Sequence, residues 1–176
     1  DARILEESDI PLTERASHRM LQDMHNQLTH QAAHDELTGL GNRKEFERQV
    51  QRALVDSKCL NVQHVAAYLD LDQFKVINNT SGHEAGDALL VDMAGEIQGV
   101  LPKEGCFLAR LGGDEFGILL ESCEPEEGEE IILNLCTAIR KYRFDWKDAQ
   151  YNLTTSGGGV FIDADTESVA EILQAA

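Results

Sequence analysis

The chain has 176 residues, 42% of them apolar, with 32 acidic side chains against 15 Lys and Arg, for a formal net charge of −17. That size suits one α/β domain with a real core plus an appendage. The acidity argues against a nucleic-acid surface, which needs a basic stripe to replace phosphate counterions, but not against a nucleotide, since a triphosphate can ride on carboxylate-bound Mg2+.

Pro11 can open a helix. From Leu12 to Ala33 the sequence lacks Gly and Pro, and Leu21, Met24 and Leu28 recur at a 3–4 spacing. That predicts a connector helix over residues 1–33, either seamed like a coiled coil or lying singly on the domain. His18, His25, His30 and His34 share no consistent face, so no metal site is expected there. Asp35-Glu-Leu-Thr-Gly-Leu-Gly-Asn-Arg43 is expected to be an ordered loop. Asn42 reads as the N-cap of a helix running to about Val55, with Phe46, Val50, Ala53 and Leu54 inward.

Val62–Asp72 predicts a central strand, because Val65 to Leu71 is almost continuously apolar. It ends in Asp70 and Asp72, which alternate onto one face. Carboxylates at a buried strand end need a partner; one of them could instead cap the helix expected at Phe74–Asn78. Gly82-His-Glu-Ala-Gly-Asp87 leads into an amphipathic helix that stops before Pro102, and Asp87 in its first turn would also suit the helix dipole. Cys106–Leu111 and Phe116–Leu120 read as a β-hairpin with Gly112-Gly113 in the turn and Asp114-Glu115 at its exit.

Pro125–Lys141 predicts a helix, acidic in its first turn and basic in its last. Tyr142–Trp146 and Tyr151–Ile162 read as strands. Gly157-Gly158-Gly159 marks a bulge or a close strand approach rather than a phosphate loop, as no helix follows it. Thr166–Ala176 begins a last helix with Val169, Ile172 and Leu173 apolar. The fold class is α/β (α+β): a mixed sheet with helices packed on it. The hairpin strands are antiparallel, and the strand before them, joined by a helical crossover, can be parallel to one of them.

If Val65–Asp70 neighbours the hairpin, Asp70 and Asp114 converge. Two or three carboxylates within reach of one another hold one or two Mg2+ ions, the arrangement used for in-line phosphoryl or nucleotidyl transfer. Without the ion they repel, so bound Mg2+–nucleotide should stabilise the fold. Backbone N–H groups of Gln73–Lys75 would face the β- and γ-phosphates, with Lys75 adding a charge. Asn78 and Asp87 offer donors and acceptors suited to the edge of guanine. The plainer alternative at the hairpin is an exposed acidic turn.

Cys59, Cys106, Cys123 and Cys136 form no CxxC or Cys/His zinc spacing, and a reducing cytoplasmic setting is expected. No apolar run approaches the ~18 residues of a membrane span, and the mixed, charged start has no signal-peptide pattern. The sequence begins at Asp1 rather than Met, which reads as a piece of a longer protein.

Taken together, Asp35-Glu-Leu-Thr-Gly-Leu-Gly-Asn-Arg43, Asp70-Leu-Asp-Gln-Phe-Lys-Val-Ile-Asn78, Gly82-His-Glu-Ala-Gly-Asp87 and Arg110-Leu-Gly-Gly-Asp-Glu-Phe116 resemble the GGDEF domain of diguanylate cyclases over residues 34–176. The resemblance implies a palm-like fold similar to nucleotidyl cyclases. It implies condensation of two GTP into cyclic di-GMP with release of two pyrophosphates, each GTP presented by one of two facing domains of a homodimer. Asp70, Asp114 and the Leu71 carbonyl would hold Mg2+ or Mn2+. Asp114 or Glu115 would help deprotonate the 3′-hydroxyl. Asn78 and Asp87 would read guanine with His83 beside them, Phe74 and Lys75 would contact phosphates, and Gly112 and Gly113 would admit the nucleotide.

Three departures stand out. The family's inhibitory product site is Arg-x-x-Asp, and that window is Lys103-Glu-Gly-Cys106 here, so feedback inhibition through it is not expected. Asn79 replaces a usual Asp. The family's last helix carries a Lys and an Arg that contact phosphates, and neither is in the sequence. The connector implies control by an upstream sensor domain in a longer protein, which could itself be membrane-anchored. The alternative expectation is a GTP-binding regulatory module controlling an attached phosphodiesterase domain. Neither nucleic acid nor a membrane contact of this segment is expected.

Overall fold

A computed structural model describes residues 20–22, 24 and 32–168. The chain divides into two units, residues 1–33 and 34–176. In the first, the described residues 20–22, 24, 32 and 33 are helical, and Met20, Leu21 and Met24 are exposed. Leu28 and His18, His25 and His30 lie outside the described residues.

In chain order the second unit comprises β1 (Gly41–Asn42), α1 (Arg43–Leu60), β2 (His64–Leu71), α2 (Phe74–Ser81), α3 (His83–Val100), β3 (Cys106–Gly112), β4 (Glu115–Leu120), α4 (Pro125–Lys141), β5 (Arg143–Trp146), β6 (Ala149–Asn152) and β7 (Thr155–Ile162). The main sheet has the order β1-β3-β4-β2-β7, and β5-β6 form a separate pair. β1 runs parallel to β3, while the β3–β4, β4–β2 and β2–β7 pairs are antiparallel. β2 is therefore interior, as expected, and parallel to β3 with β4 between them. This is a mixed sheet flanked by helices.

Alternation along β2 divides the core. Val65, Ala67, Leu69 and Leu71 pack with Leu89, Leu90, Met93 and Ile97 of α3 and Leu135 and Ile139 of α4. Ala66, with Ala109 and Leu119 of the neighbouring strands, packs against Phe46, Val50, Ala53 and Leu54 of α1. Period-2 side-chain direction puts these two sets on opposite faces. The predicted inner face of α1 is thus the buried one.

Four details differ from the sequence expectations. α1 continues to Leu60 and stops at Asn61, which takes the left-handed conformation at φ 54° and returns its N–H to the Ser57 carbonyl. Asn tolerates that conformation without glycine. The hairpin turn lies one residue further on: the register shifts between Arg110 and Gly112, and Gly112 faces Glu115. The two linking residues are therefore Gly113-Asp114, with Leu111 bulged out. The run Tyr151–Ile162 is split at Leu153-Thr154, because β6 pairs with β5 while Thr154 turns back to accept a bond from the Asp72 N–H at 3.0 Å. Thr166–Ser168 are not helical, and the remainder of the expected last helix lies outside the described residues. No helix among the described residues is long and apolar enough to cross a membrane, and the four cysteines are free thiols.

The three-glycine run is a close strand approach. A Cβ on Gly157 would overlap the Tyr68 backbone carbonyl and lie 2.9 Å from Leu69 Cδ2. Backbone cannot yield there without separating β7 from β2. Gly157→Ala is expected to destabilise the fold by about 1–3 kcal/mol, read as a lower urea midpoint at unchanged m-value.

Candidate active site

The end of β2 and the tip of the β3–β4 hairpin are fastened side by side. Asp70 is directly opposite Glu115 in the β2–β4 ladder. The Leu71 N–H donates to the Asp114 carbonyl at 3.2 Å. Asp70, Asp114 and Glu115 thereby converge from two strands. Asp70 titrates above its ordinary value, first through partial burial and then through the charges of Asp114, Glu115 and Asp72.

Asp72 takes a different part from either expected one. Its carboxylate accepts from the Thr154 hydroxyl at 2.6 Å and the Ser156 hydroxyl at 2.7 Å, and those bonds lower its pKa. It does not cap α2, whose N-cap is Gln73 in the left-handed region at φ 69° with no side-chain bond. Asp72 ties β2 to the entry of β7.

Two arginines that sequence reasoning left without a role hold the hairpin. Arg43, the first residue of α1, donates through Nε to the Leu111 carbonyl at 3.0 Å and pairs through Nη2 with Glu115 Oε2 at 2.8 Å. A cation at a helix N-terminus opposes the dipole, and that local misfit was a legible sign of an anionic partner elsewhere. Arg110 grips the Gly113 carbonyl with Nε at 3.0 Å and Nη2 at 2.9 Å. Its Nη1 meets both Asp35 oxygens, at 3.1 and 2.9 Å. Asp35 also accepts from the Thr38 N–H and hydroxyl.

Gly112 and Gly113 have φ of 138° and 54°, and a Cβ built on either meets open space. The backbone requires glycine there, and among the described residues nothing lies within 4 Å of a Cβ at either position.

The remaining candidates gather on α2 and α3. Asn78 Oδ1 is buried without a hydrogen-bond partner. A Cβ on Gly86 would overlap that oxygen and stand 3.2 Å from Phe74 Cε2. Gly86 is a candidate the sequence reading missed: its absent methyl is the space into which the Asn78 carboxamide fits. Asp87, His83 and Lys75 are exposed nearby in sequence, and Phe74 is half-buried. α3 starts at His83 with Glu84 in its first turn, so Asp87 lies in the second turn and not, as expected, in the first. This group joins the acidic one through the short Leu71–Gln73 connection. As at any helix start, the first N–H groups of α2 have no acceptor within the helix.

On the α1 side of the acids lies a cleft of about 510 Å3 whose lining includes Arg43, Tyr68, Asp70, Glu115, Ser156 and Gly157. The Tyr68 hydroxyl is buried without a partner, and burial pushes its pKa up to about 12. Among the described residues, no three His, Cys, Asp or Glu side chains are grouped closely enough to hold one ion. Asp70, Asp114 and the Leu71 carbonyl would offer hard oxygen donors, the chemistry that suits a divalent cation whose remaining ligands come from phosphates and water.

The Asp35–Arg110 pair sets a pH dependence. Burial acts to raise the Asp35 pKa, but the Thr38 and Arg110 hydrogen bonds outweigh it and the net shift is downward. A depressed carboxylate stabilises fully above its unfolded value of 3.8 and loses that contribution as pH falls through the lower folded value. Asp35→Asn is expected to cost about 1–3 kcal/mol at pH 7. The gap from wild type should close below pH ~4 in denaturation curves.

The profile described as "GGDEF: Diguanylate cyclase, GGDEF domain" matches residues 32–176. The chain is 38% identical over 153 residues to the probable diguanylate cyclase DgcE of Escherichia coli (strain K12), covering 87% of this chain and 14% of that protein. It is 35% identical over 150 residues to the cyclic di-GMP phosphodiesterase PdeB of Shewanella oneidensis, covering 85% of this chain and 17% of that one. The chain thus spans less than a fifth of either relative's length. The crystal structure of the coiled coil and GGDEF domain of DgcB from Caulobacter crescentus, in complex with c-di-GMP, superposes with a TM-score of 0.84 at 24% identity, over 92% of this chain and 85% of that chain. With the profile spanning the whole sheet and both groups of site residues, the chain belongs to the GGDEF family of diguanylate cyclases.

Proposed function

We propose that this domain is a diguanylate cyclase that condenses two GTP into cyclic di-GMP. The observation that carries the reading is the juxtaposition of Asp70 with the hairpin acids Asp114 and Glu115, one short connection away from the unpartnered Asn78 acceptor. Asp70, Asp114 and the Leu71 carbonyl would hold Mg2+ or Mn2+. When bound, that ion neutralises the triphosphate and polarises the α-phosphoryl group.

The chain's own residues do the rest. Asn78 Oδ1 accepts an N–H of guanine, and Asp87 accepts from the same edge with His83 alongside. The N–H groups opening α2 and Lys75 face the β- and γ-phosphates. Asp114 or Glu115 takes the proton of the ribose 3′-hydroxyl. The freed oxygen attacks the α-phosphorus of the second GTP, a new P–O bond forms, and pyrophosphate departs. The same exchange in reverse orientation closes the ring. Each domain presents one GTP, so a homodimer is required, and the connector over residues 1–33 would set its geometry under an upstream sensor. Lys103 and Cys106 in place of Arg and Asp leave the product without the usual inhibitory site.

The similarity to PdeB supports a second reading, a GTP-binding module that regulates an attached phosphodiesterase. The presence of Asp70, Asp114 and Glu115 together favours turnover. Incubation with Mg2+ and GTP, followed by chromatography, separates the two: cyclic di-GMP supports the cyclase, binding without product supports the regulatory module, and no binding refutes both. Asp114→Ala should abolish product, and full activity in that variant would sink the site assignment. Gly86→Ala should displace Asn78 and raise the half-saturating GTP concentration by about tenfold or more, the equivalent of one lost buried hydrogen bond.

A further inference from the structure

We propose that Arg43 is a positioning residue that withholds Glu115 from the acidic pair, leaving a two-carboxylate site that takes up its divalent cation together with a nucleotide rather than alone. The proposal rests on the cyclase reading for its consequence in turnover, but not for its geometry.

Asp70 and Glu115 are cross-strand partners, and period-2 alternation turns both side chains to the α1 face, where both line the cleft with Arg43. Left to itself, Glu115 is within a side chain's reach of Asp70 and Asp114, and three carboxylates would make a site able to bind a bare cation. The structure instead turns Glu115 Oε2 to Arg43 Nη2 at 2.8 Å. Correspondingly, no three-acid group exists among the described residues.

Arg43 is held in place for this. The bulge at Leu111 leaves that residue out of the β3–β4 ladder, and its carbonyl accepts Arg43 Nε at 3.0 Å. Asn42, just before, is paired with Arg110 of β3 and caps α1 by accepting the Glu45 N–H at 3.0 Å. One guanidinium fork thus spans the β3 and β4 sides of the tip, a geometry a lysine ammonium cannot reproduce. Arg43 and Glu115 side chains are each 51% exposed, so the pair is weak. It can be exchanged when a triphosphate brings charge of its own. Mg2+ bound by one or two carboxylates plus substrate phosphates is the common arrangement.

The test is calorimetric titration of the full chain with Mn2+ alone. Arg43→Ala should bind the bare ion at least about threefold tighter than wild type, because Glu115 is released. Adding Glu115→Gln should cancel that gain. Should Arg43→Ala not fold, Arg43→Gln carries the same expectation, as it keeps a donor for the Leu111 carbonyl but no charge for Glu115. Unchanged or weaker Mn2+ binding in the neutral variant overturns the proposal. So does a gain that survives Glu115→Gln, which would reduce Arg43 to a bulk-charge effect. At saturating Mg2+ and GTP, Arg43→Ala should also lose tenfold or more in turnover. A wild-type chain that makes no cyclic di-GMP would strike the proposed activity and leave the Mn2+ comparison standing.

Discussion

Mutual repulsion of carboxylates fastened to adjacent strands is the constraint around which this domain is arranged. The β2–β4 ladder puts Asp70 opposite Glu115, with Asp114 in the adjoining turn. Backbone pairing cannot relax to separate them, because β2 is interior and fixed on its other side by β7. Relief comes from groups around the tip. Arg43 draws Glu115 aside, Thr154 and Ser156 hold Asp72 away, and Arg110 supplies positive charge at the turn while bonded to Asp35. Asp70 still feels the charges of Asp114, Glu115 and Asp72, with Asp114 the strongest of the three.

The two halves of the site meet different physical demands. The acidic half is electrostatic and sits at the solvent edge. The Asn78 half is steric and polar: an acceptor enclosed without a partner, kept in place by the missing Cβ of Gly86. An enclosed orphan acceptor is costly unless a donor arrives. The two groups thus draw on separate residues, although three positions of chain connect them.

Local patterns made the acidic half legible in the sequence. The apolar run Val65–Leu71 marks an interior strand, its two terminal acids stand out against it, and adjacent glycines mark a hairpin. Elements defined by periodicity, such as α3 and α4, follow equally directly. Features decided by long-range packing were not readable. Nothing local tells that Leu111 bulges and moves the turn to Gly113-Asp114. Leu153 continues the apolar pattern of Tyr151 and so conceals the break between β6 and β7. Arg110 stood inside a recognised motif, yet its bond to Asp35 crosses 75 positions. Gly86 reads as a helix-weakening residue until Asn78 is seen beneath it.

The hairpin tip also has an unusual standing in the hierarchy of local stabilities. Exposed glycine turns ordinarily open at little free-energy cost, ahead of the core. Here three distant segments close on residues 111–115: Arg43 from α1, Leu71 from β2, and Asp35 through Arg110. Opening the turn means breaking contacts that belong to the interior strand and the first helix. Opening this turn therefore costs more than opening an ordinary glycine turn, because contacts to the core elements must break with it.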